Sequence, residues 1–303
     1  MNVIKYQQGI MSQLTKSAIY LFFTLKDNHN LQQDLFTIQK LVDGCSVVLG
    51  FGNKIMNMSC KTVPYKLYEP VGNQNKFAEK WDCDMVLWLR NDDQGVLMHQ
   101  ARQLIDTVSS SFLCIDISRA FTYLTSKTED EVIEHDLSGF EDGTENPKGE
   151  ESIEVAIISS SDRHLNGGSC WSIQKWAHDF SWLDKASQET KEQAIGRSLT
   201  DNRELKHAHC SAHVKRTEQE SFAPEALMWR RSMPWVNDKL EGGLMFSSFA
   251  NSFYPFEVQF DRMVGNADGV VDAVFNFSRI IHTTFLWCPP FYKGKIDLSV
   301  LKV

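Results

Sequence analysis

The feature that most constrains this chain is an alternation of short apolar runs with amphipathic helical stretches. Residues 17–25 are β-branched or aromatic enough to predict a buried strand. Leu31, Leu35, Ile38 and Leu41 then recur at helical spacing and predict an amphipathic helix over Asn30 to Leu41. Strands are predicted at Ser46–Phe51 and Asp84–Leu89, a second helix at Gln94–Val108, and a fourth strand at Phe112–Asp116. Residues 52–80 are polar and irregular. This order is that of a ferredoxin-like unit, in which two helices cover one face of an antiparallel sheet.

The pattern starts again in the second half. Ile153–Ile158 and Ser169–Lys175 read as strands, Trp182–Gly196 as a helix, and 199–224 as a polar connection. Leu227–Ser232 and Leu244–Ala250 follow as strands, Phe256–Val264 as a helix and Arg279–Trp287 as a strand. The expectation is an α+β protein of two ferredoxin-like halves, residues 1–135 and 136–303, with no sequence repeat between them. A chain of 303 residues can bury the core this needs.

Composition removes other classes. A net charge of −8 argues against a nucleic-acid surface, which needs a basic face. No apolar run is long enough to cross a bilayer, the best being Ala18–Leu25. The first residues carry neither a secretion signal nor twin arginines, so a cytoplasmic location is expected. Seven cysteines without CxxC spacing suit free thiols in a reducing compartment.

Two stretches carry polar residues with chemical potential. Asp136-Leu-Ser-Gly-Phe-Glu-Asp-Gly-Thr-Glu-Asn-Pro-Lys-Gly149 holds three glycines, one proline and four carboxylates. Asp142-Gly143 is a turn signal, and Pro147 biases Asn146 towards extended geometry. Such a loop can point Asp142 into a cavity or be no more than an acidic hairpin, and EF-hand spacing is absent. His207-Ala-His209-Cys210-Ser-Ala-His213 invites a zinc reading, with His209 and His213 on one helix face; a His-rich polar connection explains it equally well.

Gly139-Phe-Glu-Asp-Gly-Thr-Glu-Asn-Pro147 resembles the GxxDGTENP signature of the dye-decolorising peroxidases, which are haem proteins. Ser211-Ala-His213-Val-Lys-Arg216 resembles that family's haem-ligand segment, [ST]-x-H-x-x-R, and Arg230-Arg-Ser-Met-Pro234 resembles R-x-[NS]-[LM]-P. Strand alternation puts Met228, Arg230 and Ser232 on one face and Trp229, Arg231 and Met233 on the other. The resemblance implies two ferredoxin-like modules with facing sheets and haem b in a pocket of the second. It further implies His213 as the iron ligand, Asp142 as the base that takes a proton from hydrogen peroxide, and Arg230 as the fixed cation. Ser232 is expected to add a hydrogen bond on that side, and Gly143 and Thr144 to border the cofactor. Asp272, or alternatively Asp261, would accept the second ring N–H of His213. Arg197 would pair with a propionate, and Leu244 and Phe246 would line the pocket. Trp171 and Trp176 read as core aromatics rather than electron relays.

The activity so implied is reduction of hydrogen peroxide at the expense of a small organic donor such as a dye or phenol, in a homo-oligomer of two or more copies. The competing reading is a haem-handling protein without peroxide turnover. Burial should raise the pKa of Asp142 and Arg230 should lower it, so no large displacement is expected. The last residues, Lys295–Val303, read as a final packed segment; the alternative is docking on a partner such as a protein shell.

Overall fold

The computed structural model describes residues 5–27, 30–127 and 132–302. In the first half, β1 (Ser17–Leu25), α1 (Leu31–Leu41), β2 (Val47–Phe51), β3 (Met85–Asn91), α2 (Gln94–Thr107) and β4 (Phe112–Phe121) follow the expected order. Asp93 caps α2 by accepting the N–H groups of Gly95 and Val96. The strands lie β4-β1-β3-β2, all antiparallel.

The second half contains α3 (Glu150–Ala156), β5 (Ser169–His178), α4 (Phe180–Lys185), α5 (Gln188–Ile195) and α6 (His213–Arg216). They are followed by β6 (Trp229–Arg230), β7 (Met233–Val236), β8 (Gly242–Ala250), α7 (Tyr254–Met263) and β9 (Ser278–Cys288). Its order, β9-β5-β8-β7, repeats that of the first half, with β6 also paired to β8. The two sheets meet at both edges, through Trp287 opposite Phe51 and Trp235 opposite Ala120. Eight strands therefore close into a ring, and the edges are covered.

Alternation along the strands divides the core in two. Tyr20, Phe22, Trp88, Trp171, Ile173, Met245 and Phe249 fill the inside of the ring. Their strand neighbours, such as Leu21, Leu87 and Trp176, face outwards and pack with residues of the covering helices, Leu35, Leu104 and Phe260 among them.

Three elements differ from expectation. Residues 153–158 are not a strand, because α3 runs from Glu150 to Ala156. Two glutamates in its first turn favour a helix start, and Ser152 and Ala156, one turn apart, are the residues it buries. The predicted helix 182–196 is two helices, since Ser187 caps a new one by accepting the Thr190 N–H. The strand over 227–232 lapses at Arg231–Ser232, although Arg230 opposite Ser248 and Met233 opposite Met245 keep one register with β8. The C-terminal segment packs on the chain itself: Val300 and Leu301 are buried, and Leu301 bridges to Ser59. Val303 lies outside the described residues. Among the described residues no helix is long and apolar enough to cross a membrane.

Candidate active site

A cavity opens between the outer face of β5 and β8 and the helix α7. Its walls are largely apolar, with Met228, Leu244, Phe246, Phe256, Phe260 and Val274, and His213, Asp142 and Arg230 converge on it from three separate segments.

His213 opens α6, a single turn anchored at both flanks. Arg216, buried, donates to both oxygens of Asp268 at 2.7 and 2.8 Å and to the Arg262 carbonyl at 2.6 Å. On the other side α5 ends at Gly196 with φ +92, where a Cβ would fall 2.4 Å from Val214 Cγ2; only glycine permits this approach. The imidazole Nδ1 of His213 lies 2.8 Å from Asp272 Oδ2. Asp272 is buried, and its other oxygen accepts the Val274 N–H at 2.9 Å. An ionised carboxylate can only accept, so Nδ1 carries the proton and Nε2 offers its lone pair to the cavity. A third of the His213 side-chain surface is open. Burial lowers the proton affinity of His213, but the charge and hydrogen bond of Asp272 outweigh it and the net shift is upward. Asp261 has other partners, accepting from Gln74 Nε2 at 2.7 Å and Asn266 Nδ2 at 2.9 Å.

Facing His213 is the central loop. Glu141–Asp142 pairs with Val132–His135, and Asp142 Oδ1 accepts the Gly143 N–H at 2.8 Å, with Gly143 at φ +77. The side-chain amide of Asn146 clamps Arg230, accepting its N–H at 2.7 Å and donating to its carbonyl at 3.0 Å. Asn202 Nδ2 donates to Glu141 Oε2 at 2.7 Å and to Thr144 Oγ1 at 2.8 Å. At Asp142 burial outweighs the opposing charge of Arg230 and holds the carboxyl above its usual range. Arg230 is itself buried enough to lose some proton affinity, and its Nε has no hydrogen-bond partner among the described residues.

The alternation expected around Arg230 holds for Met228 and Arg230 but not for Ser232. Met228 and Arg230 line the cavity, while Trp229 Nε1 donates to the Ile10 carbonyl at 2.9 Å and Arg231 to that of Ser12. Ser232 does not reach the cavity. Its Oγ accepts the Ser247 N–H at 3.4 Å, and it borders an adjoining groove shared with Asp142 and Arg230. Gly143, Thr144 and Arg197 line a mouth beside His213, where Arg197 pairs with Glu145 and, at 3.1 Å, with Glu204. Leu244 and Phe246 line the cavity as expected, and so does Trp176; Trp171 lies inside the ring, donating to Ser247 Oγ at 2.5 Å.

Sequence reasoning assigned no role to Asp136 and His178, which also border the cavity. They pair at 3.0 Å, and the other ring nitrogen of His178 lies 2.8 Å from Ser278 Oγ. Burial alone would raise Asp136, but His178 holds it below the usual carboxylate range. The available signal was positional, since Asp136 opens the central loop and His178 shares a strand face with Gln174 and Trp176.

The zinc reading has no support. Among the described residues no group of three His, Cys, Asp or Glu side chains could hold a metal ion, and His207 and His209 are exposed. The cavity combines one carboxylate-backed imidazole, apolar walls and a guanidinium with an unpartnered nitrogen. That donor set fits a flat apolar ring system that brings its own metal and takes one protein ligand.

Residues 133–293 match the family model described as Dyp-type peroxidase, C-terminal. A dye-decolorizing peroxidase of Rhodococcus erythropolis is 25% identical over 294 residues, covering 90% of this chain and 84% of that protein. One of Mycobacterium tuberculosis is 25% identical over 305 residues, covering 93% and 88%. Among solved structures, the encapsulated DyP-type peroxidase of Mycobacterium smegmatis gives a TM-score of 0.82 at 21% identity, covering 95% of this chain and 96% of that one. A Rhodococcus jostii RHA1 DypB variant in complex with heme gives 0.80 at 22%, covering 93% and 95%. The family match takes in more than half of the sequence and every residue that lines the cavity: the chain belongs to the Dyp-type peroxidase family and is a peroxidase-type oxidoreductase.

Proposed function

We propose that the chain binds haem b in this cavity and reduces hydrogen peroxide while oxidising a small organic donor. The observation that carries the reading is the convergence of His213, backed by Asp272, with Asp142 and Arg230 around one apolar cavity. The haem, when bound, supplies the redox chemistry: two electrons for peroxide, recovered singly from the donor.

In this reading His213 holds the iron through Nε2, and Asp272 keeps the ring in the required tautomer and orientation. Asp142 takes the proton of the incoming peroxide and returns it to the outer oxygen, so that water is the leaving group. Arg230 stabilises the negative charge that develops meanwhile, from a backbone position held by Asn146 before the reaction begins. Gly143, Thr144 and Arg197 border the cofactor at the mouth. Residues 1–135 and 136–303 serve as scaffold and cofactor-bearing half. Seven free cysteines, three of them exposed, support a reducing, cytoplasmic setting. We take the working form to be a homo-oligomer.

A haem-handling protein would need His213 and the cavity but has no use for an aspartate and an arginine across from the ligand. Purified protein loaded with haem should oxidise a dye only with peroxide present, and His213→Ala should lose normal haem ligation while His209→Ala keeps it. Haem binding without peroxide turnover, in a protein that keeps Asp142 and Arg230, would favour the handling role instead.

A further inference from the structure

The groove that adjoins the cavity contains a carboxylate with no part in the chemistry above. It takes in Asp142, Arg230, Arg231 and Ser232, and also Glu134. The pairing of Val132–His135 with Glu141–Asp142 sets Glu134 directly opposite Asp142. Residues so opposed project to the same face with Cβ atoms about 4.5–5.5 Å apart. Two carboxylates at that spacing repel when both are ionised, and their titrations are coupled.

The charged groups around Glu134 are Arg231, Asp142 and Arg90, with Arg230, Glu141 and Lys148 on the walls of the same groove. Arg231 is buried deeply enough to lose proton affinity, to about 10, and its Nε has no hydrogen-bond partner among the described residues. The groove therefore holds two guanidinium groups, Arg230 and Arg231, against a cross-strand carboxylate pair.

We propose that Glu134 is a positioning residue of the peroxide reaction that acts through Asp142. Its neutral form leaves Asp142 as the single anion of the pair. Its ionisation adds a second anion, which draws the field of Arg230 and Arg231 away from the reacting oxygen. The inference rests on the reading of Asp142 as the base. No redox partner is added: the peroxide proton passes to the Asp142 carboxylate and on to the outer oxygen, while Glu134 keeps its own proton or exchanges it with solvent. Burial pushes Glu134 up to about 7, Arg231 opposing and Asp142 adding to the shift. Glu134 thus keeps its proton across mildly acidic pH and loses it near neutrality.

The test is the rate constant for reaction of the haem-loaded protein with peroxide at about pH 5.5 and about pH 8, in the parent, Glu134→Gln and Glu134→Asp. A group titrating near neutrality leaves only ~10% of the neutral form at the higher pH, so the parent should slow by up to ~10-fold. Glu134→Gln should lose this fall, and Glu134→Asp should retain it. An equal fall in the parent and Glu134→Gln overturns the proposal. A second readout needs no peroxide. A carboxyl whose pKa is raised on folding contributes stability present below its unfolded value of 4.5, which is lost as pH rises towards about 7. The Tm of Glu134→Gln relative to the parent should therefore climb between about pH 5 and about pH 8; a constant difference also overturns the proposal. Asp142→Asn separates the two levels: full reactivity there refutes the base, whereas a slow Asp142→Asn with a parent-like Glu134→Gln profile refutes the role of Glu134 alone.

Discussion

Replacing Asp272 by Asn tests how much of the cofactor site depends on one buried carboxylate. Asp272 is surrounded by protein and accepts two hydrogen bonds, from His213 Nδ1 at 2.8 Å and from the Val274 N–H at 2.9 Å. An asparagine of the same shape can keep the second bond through its oxygen. Its NH2 group then faces the His213 Nδ1–H, donor against donor. The imidazole relieves this by moving its proton to Nε2, which removes the lone pair from the cavity, or by rotating away. What is lost is a charge-assisted hydrogen bond, worth about 1.5–3 kcal/mol. At ~1.4 kcal/mol per decade this is a weakening of about 10–100-fold in haem affinity. The assay is titration of haem into the apoprotein, followed by absorbance, for the parent, Asp272→Asn and Asp261→Asn. Asp261→Asn should bind like the parent, because that side chain holds Gln74 and Asn266 instead. Affinity of Asp272→Asn within about threefold of the parent, with unchanged ligation in the spectrum, would refute the argument.

Asn146→Ala removes both side-chain bonds to the Arg230 backbone, at about 0.5–1.5 kcal/mol each, so chemical denaturation should show a loss of about 1–3 kcal/mol together with a slower peroxide reaction. Arg230→Leu should keep haem yet slow the peroxide reaction by ~100-fold or more in stopped flow, as for loss of a charge-stabilising donor. Arg231→Leu, on the opposite strand face, should slow it far less. Asp136→Asn should be less stable than the parent at neutral pH. A carboxylate depressed on folding contributes stability present above its unfolded value of 3.8 and lost as pH falls through its lower folded value. The Tm difference should thus shrink in strong acid; a difference independent of pH contradicts the His178 pairing. Peroxide reactivity should also fall as pH drops through the raised value of Asp142, because the base must be ionised, and Asp142→Asn should be slow throughout.

Periodicity in the sequence placed the elements of the first ferredoxin-like half and most of those of the second, because alternation and helical spacing are local records of which face meets the core. Turn residues marked the central loop, and the resemblance of three short motifs to the peroxidase family pointed to His213, Asp142 and Arg230. The run Ile153–Ile158 misled because its β-branched residues favour a strand locally, whereas two glutamates in the first turn and a buried Ser152 and Ala156 make it a helix in place. What only the tertiary structure decided are pairings between distant segments: Asn146 with Arg230, Asp136 with His178, Glu134 opposite Asp142, and Asp272 rather than Asp261 behind His213. No local pattern records these, because each bond joins side chains whose neighbourhood exists only after the sheets have closed and the helices have docked. The ionisation of Asp142 belongs to the same class. Opposed effects of burial and Arg230 can be named from the residue types, but which one prevails depends on how much water the finished fold excludes.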